Sequence, residues 1–371
     1  MEKIKEKGWF LIILGGLLLV LGSFILIYNG IEASRASSSI AEAAKVCVEW
    51  ADGASQDGQL VHATGMATTD EILTDPALGM SGNLIKMNRK VEYYQIVEST
   101  KEEREVDGRG RETITTIYNY DLAWTEKPVD SKYFYSKEYA DKNFVIKEYP
   151  QWSATASDVR FNGRKLPPSM VEQAEVCDGI STAGVDIIEI MLSTGRRGLN
   201  VSAYDNEIYL GDDPDEPHIG DVMITYTGIA PGTVSIMASP KGDEFVPYKV
   251  KGGKEIAWLM NGERPVKDFL DAQKKEAGST EGLGWVMGVL QCLLGIWALL
   301  GGIRKRYTPV PVLSVYAEAS KLFLCSLGVA AGWSLCCIGL GRLALSPLIS
   351  LILIAAGAGL LYGLYRINQS H

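Results

Sequence analysis

WFLIILGGLLLVLGSFILIY, residues 9–28, decides the fold of this chain because it is twenty residues long, apolar and uncharged. A helix needs about 20 apolar residues to cross the hydrocarbon core of a bilayer. Three further stretches of this kind lie in the last quarter of the chain, at 283–303, 322–340 and 348–365. The sequence therefore predicts one transmembrane helix before residues 29–282 and three transmembrane helices after them.

Basic residues flank the four predicted spans unevenly, and this asymmetry predicts the orientation of the chain. Loops rich in Lys and Arg face the cytoplasm. We therefore expect residues 1–8, 304–321 and 366–371 to be cytoplasmic and residues 29–282 to form an extracytoplasmic domain. The basic residues behind this prediction are Lys3, Lys5, Lys7, Arg304, Lys305, Arg306, Lys321 and Arg366, whereas the turn between the last two spans offers only Arg342.

The first apolar stretch has two interpretations. A basic start and small residues near Ala33 and Ala36 are compatible with a cleaved signal peptide. Its apolar core is longer than the 7–15 residues of a usual signal peptide, which favours a retained anchor. We therefore predict that residues 9–28 remain in the mature protein as the first transmembrane helix.

The composition of the chain places its charge in the intervening domain. The net charge is −9, so the basic surface that binds nucleic acid is not expected. Charged residues make up 22% of the chain and are nearly absent from the spans. Residues 29–282 are numerous enough to bury a sizeable core. They are predicted to fold as an α+β, mainly β-rich domain, either as one unit or as two halves split near residue 167.

Alternation of apolar and polar residues places the strands of this domain. The pattern predicts a long hairpin, with residues 90–98 and 112–124 as its two strands and the polar segment 99–111 as its tip. A second β section is expected over residues 187–251, as a meander or small barrel. Between these sections a short helix is predicted to begin near Ser169 as its N-cap and to end at Val176.

The spans themselves argue against a pump. Their interiors contain no Asp, Glu, Lys or His, the residues that usually mark proton or ion paths in membranes. They do contain G-x-x-x-G pairs, whose missing side chains let helices approach closely. These pairs predict either packing among the helices of one chain or a homo-oligomer seam, and they are Gly284 with Gly288, Gly328 with Gly332, and Gly359 with Gly363.

Cysteines and acidic residues offer two weak site hypotheses in the domain. Cys47 and Cys177 could form one disulfide in an oxidising compartment, or could be two buried thiols. No C-x-x-C pair is present, and no cofactor is predicted. The run GDDPDEPH could supply oxygen ligands to calcium, although a solvated turn is the more frequent structure of such runs. Its possible metal ligands are Asp212, Asp213, Asp215 and Glu216.

The sequence carries no strong catalytic motif. There is no G-x-S-x-G, no H-E-x-x-H and no P-loop, so a hydrolytic or nucleotide-dependent enzyme is not predicted. The only candidates for an enzymatic site facing the membrane are His62, Asp70, Asp75 and His218. Such a site would require these side chains to converge in the folded domain.

Four long segments resemble the transmembrane protein 43 (LUMA) family. They are DGQLVHATGMATTDEILTDPALGM, VEYYQIVES, YNYDLAWTEKPVDSKYF and IGDVMITYTGIAPGTVSIMA. The arrangement of one span before the domain and three after it is also that of the family. The resemblance implies a membrane protein of the endoplasmic reticulum and inner nuclear membrane, with a lumenal domain, that organises protein complexes, oligomerises and has lamins and emerin as partners. For a prokaryotic member, only the role of membrane-anchored organiser would carry over.

These observations together predict a non-enzymatic membrane scaffold. Its expected partners are the lipid bilayer, membrane or extracytoplasmic proteins, and further copies of the chain. The alternatives are a lipid- or envelope-processing enzyme at the membrane interface and an oligomeric channel.

Overall fold

The computed structural model describes residues 2–51, 56–106, 108, 112–176, 178–195, 200–306 and 319–369. Its helices are α1 (Glu2–Val46), α2 (Pro168–Val171), α3 (Ile187–Ser193), α4 (Val266–Arg306), α5 (Ala319–Gly341) and α6 (Pro347–Gln369). A short 3-10 helix covers Ser131–Tyr133. Four of the helices are long and apolar enough to cross a membrane, namely α1, α4, α5 and α6.

The strands are short except for one long hairpin. In chain order they are β1 (Val48–Glu49), β2 (Val61–Thr68), β3 (Leu73–Thr74), β4 (Ser81–Gly82), β5 (Lys86–Val106), β6 (Glu112–Thr125), β7 (Trp152–Thr155), β8 (Arg160–Phe161), β9 (Arg164–Lys165), β10 (Asp178–Gly179), β11 (Val201–Tyr204), β12 (Glu207–Leu210), β13 (Val222–Ile229), β14 (Gly232–Lys241), β15 (Glu244–Val246) and β16 (Trp258–Asn261).

Two larger sheets build the domain, and both draw strands from either side of residue 167. The first has the order β1-β2-β8-β9-β15-β14-β16, and β14 also pairs with β2, so this set of pairings closes on itself. The second has the order β11-β12-β13-β5-β6, with β7 against β5 and β10 against β13. Buried residues of both sheets share one hydrophobic core. Strands from both sides of residue 167 therefore contribute to this core, and the division of the domain near residue 167 stays a prediction.

The prediction of a β-rich domain between one N-terminal and three C-terminal membrane helices is confirmed. Three local predictions were wrong. The segment 99–111 is only in part a hairpin tip, because β5 continues to Val106, whereas β6 begins at Glu112 as predicted. The short helix has Pro167 as its N-cap and ends at Val171, so Ser169 does not cap it. Residues 187–193 form a helix, capped by Asp186, and not a strand.

The two longest helices leave the predicted membrane region and enter the domain. α1 has 45 residues and α4 has 41, so at about 1.5 Å per residue they measure roughly 68 and 62 Å. A bilayer core is only about 30 Å thick. Residues 29–46 of α1 and 266–282 of α4 therefore extend beyond the predicted spans on the side of the domain. There, Ile40 and Ala43 of α1 and Phe269 of α4 pack with Met237 and Trp258 of the first sheet.

Candidate functional site at the junction of domain and membrane

The antiparallel helices α1 and α4 approach each other at glycines. A Cβ atom added to Gly15 would lie 2.5 Å from the backbone nitrogen of Leu299 and 2.6 Å from the carbonyl oxygen of Gly295. One added to Gly22 would lie 3.0 Å from the carbonyl oxygen of Gly288. No larger residue fits here without moving the backbones apart, so the missing side chains set the distance between the helices.

Sequence reasoning overlooked this seam, although its signal is visible in the sequence. Glycines recur every seven residues on each helix, and a seven-residue repeat keeps one face towards a partner helix. This repeat differs from the G-x-x-x-G pairs, in which the two glycines are four residues apart. The heptad glycines are Gly8, Gly15 and Gly22 on α1, and Gly288, Gly295 and Gly302 on α4.

The six glycines that were predicted to form a seam separate into three pairs with different surroundings. Gly284 and Gly288 face α1, where added Cβ atoms would meet the side chains of Asn29 and Leu26. Gly328 and Gly332 face Leu364 and Leu361 of α6. Gly359 and Gly363 have no atom within 4 Å of an added Cβ. The first two pairs therefore pack within the chain, and the α6 pair alone among the six lies in open space.

Polar groups join the helices where the predicted spans end. The Asn29 side-chain amide donates to the carbonyl oxygen of Glu281 over 2.8 Å. Arg342, which follows α5, places Nη2 2.6 Å from Oε1 of Glu281 and its guanidinium carbon 4.8 Å from the ring centroid of Trp285. These contacts connect three of the four membrane helices at one level. The sequence alone did not predict the partner of Arg342.

A cavity of about 170 Å³ opens above this polar layer, between α1, α4 and the segment before β16. Glu32 on its α1 wall lies 3.2 Å from Lys254 and 3.1 Å from Arg35. Burial alone would raise the pKa of Glu32, but hydrogen bonds from Arg35 and Lys254 outweigh it and lower that pKa. The cavity therefore has an ionised wall. Its other lining residues include Ala33, Ala36, Ser39, Trp258, Glu276 and Glu281.

His62 lies where the domain meets the ends of both long helices. It is buried on β2, and its Nδ1 is 3.0 Å from each carboxylate oxygen of Glu49. Its Nε2 is 2.8 Å from the carbonyl oxygen of Arg264. The ring also meets Phe269 of α4 edge-on at 5.9 Å.

Asp75 is completely buried in an ion pair with Arg89 on β5. Arg89 Nη1 is 2.6 Å from Asp75 Oδ1, and the rest of the guanidinium donates to the carbonyl oxygen of Pro150. The Tyr226 hydroxyl donates to the same carboxylate. Burial and this hydrogen bond raise the pKa of Tyr226. Every charge here is paired, as the interior of a protein requires, and the cluster ties β5 to β13.

The four candidate catalytic residues do not come together. The contacts of His62 are with Glu49, Arg264 and Phe269, and those of Asp75 are with the Arg89 cluster. Asp70 and His218 are exposed. None of the four lines the cavity between α1 and α4.

The acidic loop between β12 and β13 folds as a turn. Asp213 accepts a hydrogen bond from the backbone of Asp215 over 2.9 Å, and Tyr209 donates to the carbonyl oxygen of Asp213 over 3.0 Å. The side chain of Asp221 is occupied by Tyr209 and by the backbone of His218. Within the described residues, no group of three or more His, Cys, Asp or Glu side chains could hold a metal ion. The calcium interpretation stays a prediction.

The disulfide prediction falls partly outside the described residues. Cys47 follows the last turn of α1 and is half-buried, whereas Cys177 is not described. Burial, and secondarily the nearby Glu49, raises the pKa of the Cys47 thiol to about 11. Cys47 is therefore a poor nucleophile at neutral pH.

The hairpin of β5 and β6 extends beyond the domain as an arm, formed by residues 99–106 and 112–116. All of these residues are exposed. At its base, Tyr118 stacks on Tyr135 at 4.1 Å, and Tyr120 stacks on Tyr139 at 4.2 Å. An unsupported two-stranded ribbon is only marginally stable. The two stacked pairs therefore brace the arm where it leaves the core.

Comparisons with known proteins agree with this architecture. A family model described as Transmembrane protein 43 matches residues 93–347. Transmembrane protein 43 of Mus musculus is 27% identical over 376 residues, covering 94% of this chain and 91% of that protein. The Homo sapiens protein is 26% identical over 356 residues, covering 90% and 86%. A homolog from Drosophila melanogaster is 23% identical over 309 residues, covering 81% and 78%. No solved structure matches the chain.

Proposed function

The chain belongs to the transmembrane protein 43 family, and we propose that it is a non-enzymatic membrane scaffold. Its spans hold the β-rich domain close to the extracytoplasmic face of the bilayer, and the domain binds membrane or extracytoplasmic proteins and further copies of the chain. In a eukaryotic cell that face is the lumen of the endoplasmic reticulum and nuclear envelope. In a prokaryotic cell it is the periplasm or the exterior.

The close pairing of α1 with α4 is the observation that carries this proposal. Both helices run without a break from the predicted membrane region into the domain. Glycines hold them together within the membrane, and the hydrophobic junction core of Ile40, Phe269 and Trp258 holds them within the domain. A continuous helix pair resists bending, so it presents the domain at a fixed height and orientation. A scaffold needs such a support, because assembly depends on the relative positions of its partners.

The arm provides a surface for such partners. Its β5 edge carries five consecutive charged residues, 101–105, and edge charges are a common protection against strand pairing. Its β6 edge carries no charge from Thr113 to Asn119. Val106 and Ile114 are more than half exposed on the arm. An uncharged edge strand with exposed apolar residues favours the addition of a strand from a partner.

Proximity labelling in the native membrane tests the scaffold proposal. The full chain would be compared with a variant in which residues 102–116 are replaced by a two-residue Asn-Gly turn, which closes a hairpin between the register partners Lys101 and Ile117. Because the removed residues of the arm are exposed, we expect this variant to insert and fold normally. The proposal predicts a reproducible set of neighbours for the full chain and the loss of part of that set for the variant.

A chain that reproducibly labels no neighbour, itself included, would overturn the scaffold proposal. Chemical cross-linking in the same membranes tests self-association, and recovery of monomer alone at every expression level would reject it. Ion flux in proteoliposomes that contain only this chain would favour the channel alternative instead. A phenotype lost on substitution of both His62 and His218, with partners retained, would favour the enzyme.

A further inference from the structure

His62 occupies the position where the domain meets both long helices. Glu49 follows the end of α1 by three residues, and Arg264 precedes the start of α4 by two. Glu49 and His62 are register partners in the parallel pairing of β1 with β2. One buried imidazole therefore contacts the chain just after α1, the chain just before α4, and Phe269 within α4.

Both ring nitrogens of His62 face hydrogen-bond acceptors. A carbonyl oxygen accepts only, and an ionised carboxylate accepts only. A neutral imidazole carries one N–H, so it can satisfy either Arg264 or Glu49 but not both. A doubly protonated imidazolium donates to both. Only a ring with a proton on each nitrogen therefore satisfies both acceptors while Glu49 is ionised.

Among the described residues, the ring nitrogens have no hydrogen-bond partner other than Glu49 and Arg264. The Arg264 guanidinium is directed away, 3.3 Å from the carbonyl oxygen of Asn261 and 3.8 Å from Asp268 of α4. On β14 the register partner of His62 is Met237, which is apolar. In the part of the chain that the structure describes, Glu49 supplies the one charged side chain in contact with the ring, and this side chain is 75% exposed.

We propose that His62 is a proton-dependent latch between the domain and the two long membrane helices. When the ring is doubly protonated, it holds the Glu49 carboxylate and the Arg264 carbonyl together. When the ring loses a proton, the lone pair on one nitrogen faces an acceptor, and one of the two contacts breaks. The latch is therefore closed while both ring nitrogens carry a proton and opens when one proton is lost.

The consequence concerns how rigidly the domain is held. Opening the latch releases either β1, next to the end of α1, or the segment before the first turn of α4. The junction core of Ile40, Phe269 and Trp258 remains packed, so the domain does not detach from the helices. Instead, the ends of α1 and α4 that lie in the domain become more mobile. The pH of the compartment that contains the domain would then determine how rigidly α1 and α4 hold it.

Hydrogen–deuterium exchange of the full chain in nanodiscs tests the latch. Exchange would be measured at about pH 5.5 and about pH 8, a range in which histidine changes charge, and corrected for the intrinsic rate. In the natural sequence we expect peptides covering residues 48–50 or 263–268 to exchange about fivefold faster at the higher pH, the effect of losing one hydrogen bond.

Two variants should change this response in opposite ways. In H62Q the fast exchange should appear at both pH values, because the imidazolium is absent. In E49Q the difference between the two pH values should vanish with slow exchange at both, because a Gln side-chain amide can donate to a neutral ring nitrogen. Glu49 is mostly exposed, so E49Q should fold even if H62Q does not.

His218→Gln is the matched control, because it removes the exposed histidine of the domain and should leave the natural response intact. The proposal is overturned if neither segment exchanges differently at the two pH values in the natural sequence. It is also overturned if E49Q retains the full pH response, or if H218Q abolishes it.

Discussion

Gly15→Ala should weaken the packing of α1 against α4, because the new methyl group has no space. Its Cβ would lie 2.5 Å from the Leu299 backbone nitrogen and 2.9 Å from the Leu299 Cα. Ordinary carbon contacts are about 3.5–4.0 Å, so the helices must separate by about 1 Å at this point. Such overpacking costs about 1–3 kcal/mol.

The neighbouring glycine provides the control for this substitution. Nothing lies within 4 Å of a Cβ added to Gly16. Gly16→Ala therefore gains the helix preference of alanine, up to about 1 kcal/mol, without a clash. Both variants make the same chemical change at adjacent positions of one helix. A difference of about 1–3 kcal/mol between them measures the steric term alone.

Gly295→Ala tests the same contact from the other helix. Its Cβ would lie 2.6 Å from the Leu19 backbone nitrogen and 2.9 Å from the Gly15 carbonyl oxygen. Since one separation of the helices makes room for both methyl groups, the double variant with Gly15→Ala should lose less stability than the sum of the single losses.

The assay is unfolding of the full chain by SDS in mixed micelles, followed by tryptophan fluorescence and extrapolated linearly to zero SDS. The order of stability should be Gly16→Ala, then the natural sequence, then Gly15→Ala. If Gly15→Ala and Gly16→Ala agree within about 0.5 kcal/mol, the reasoning about the glycine seam is refuted.

Two further substitutions have expected outcomes. Asp75→Asn leaves Arg89 buried without its counter-charge and should cost about 3–5 kcal/mol in thermal or chemical unfolding, whereas the exposed Asp70→Asn should change stability by less than about 0.5 kcal/mol. Equal effects would contradict the pairing. Gly332→Leu should destabilise the chain, because an added Cβ lies 2.9 Å from Leu361 Cγ. Gly359→Leu, on the open face of α6, should leave unfolding unchanged and lower cross-linked dimer only if copies pack through that face.

The sequence predicted the features of this fold that depend on local pattern. Each span is an uninterrupted apolar run, and hydropathy detects such runs without knowledge of any partner. The hairpin of β5 and β6 was predicted because alternation with a period of two persists over residues 112–124. The helix at 187–193 was not predicted, since its isoleucines favour strands and its N-cap Asp186 was overlooked.

Contacts between residues that are far apart in the sequence could not be predicted from local sequence patterns. Nothing near Arg342 in the sequence indicates that it meets Glu281, about sixty residues earlier in the chain. His62 was a candidate residue of an enzymatic site, but in the structure it connects β2 to the segments next to α1 and α4. The heptad glycines are a different case. Their spacing was available in the sequence, and it predicts close helix packing once both helices are aligned antiparallel.

The accessibility of the domain across an intact membrane tests whether α1 and α4 hold it on the extracytoplasmic side, as we propose. In a background with the six natural cysteines replaced by serine, one cysteine would be introduced at Lys101 on the arm or at Lys5 before the first span. A membrane-impermeant maleimide added from the extracytoplasmic side should label the Lys101→Cys chain and not the Lys5→Cys chain. Labelling of Lys5→Cys with Lys101→Cys protected would place the domain on the cytoplasmic side and overturn the proposed orientation.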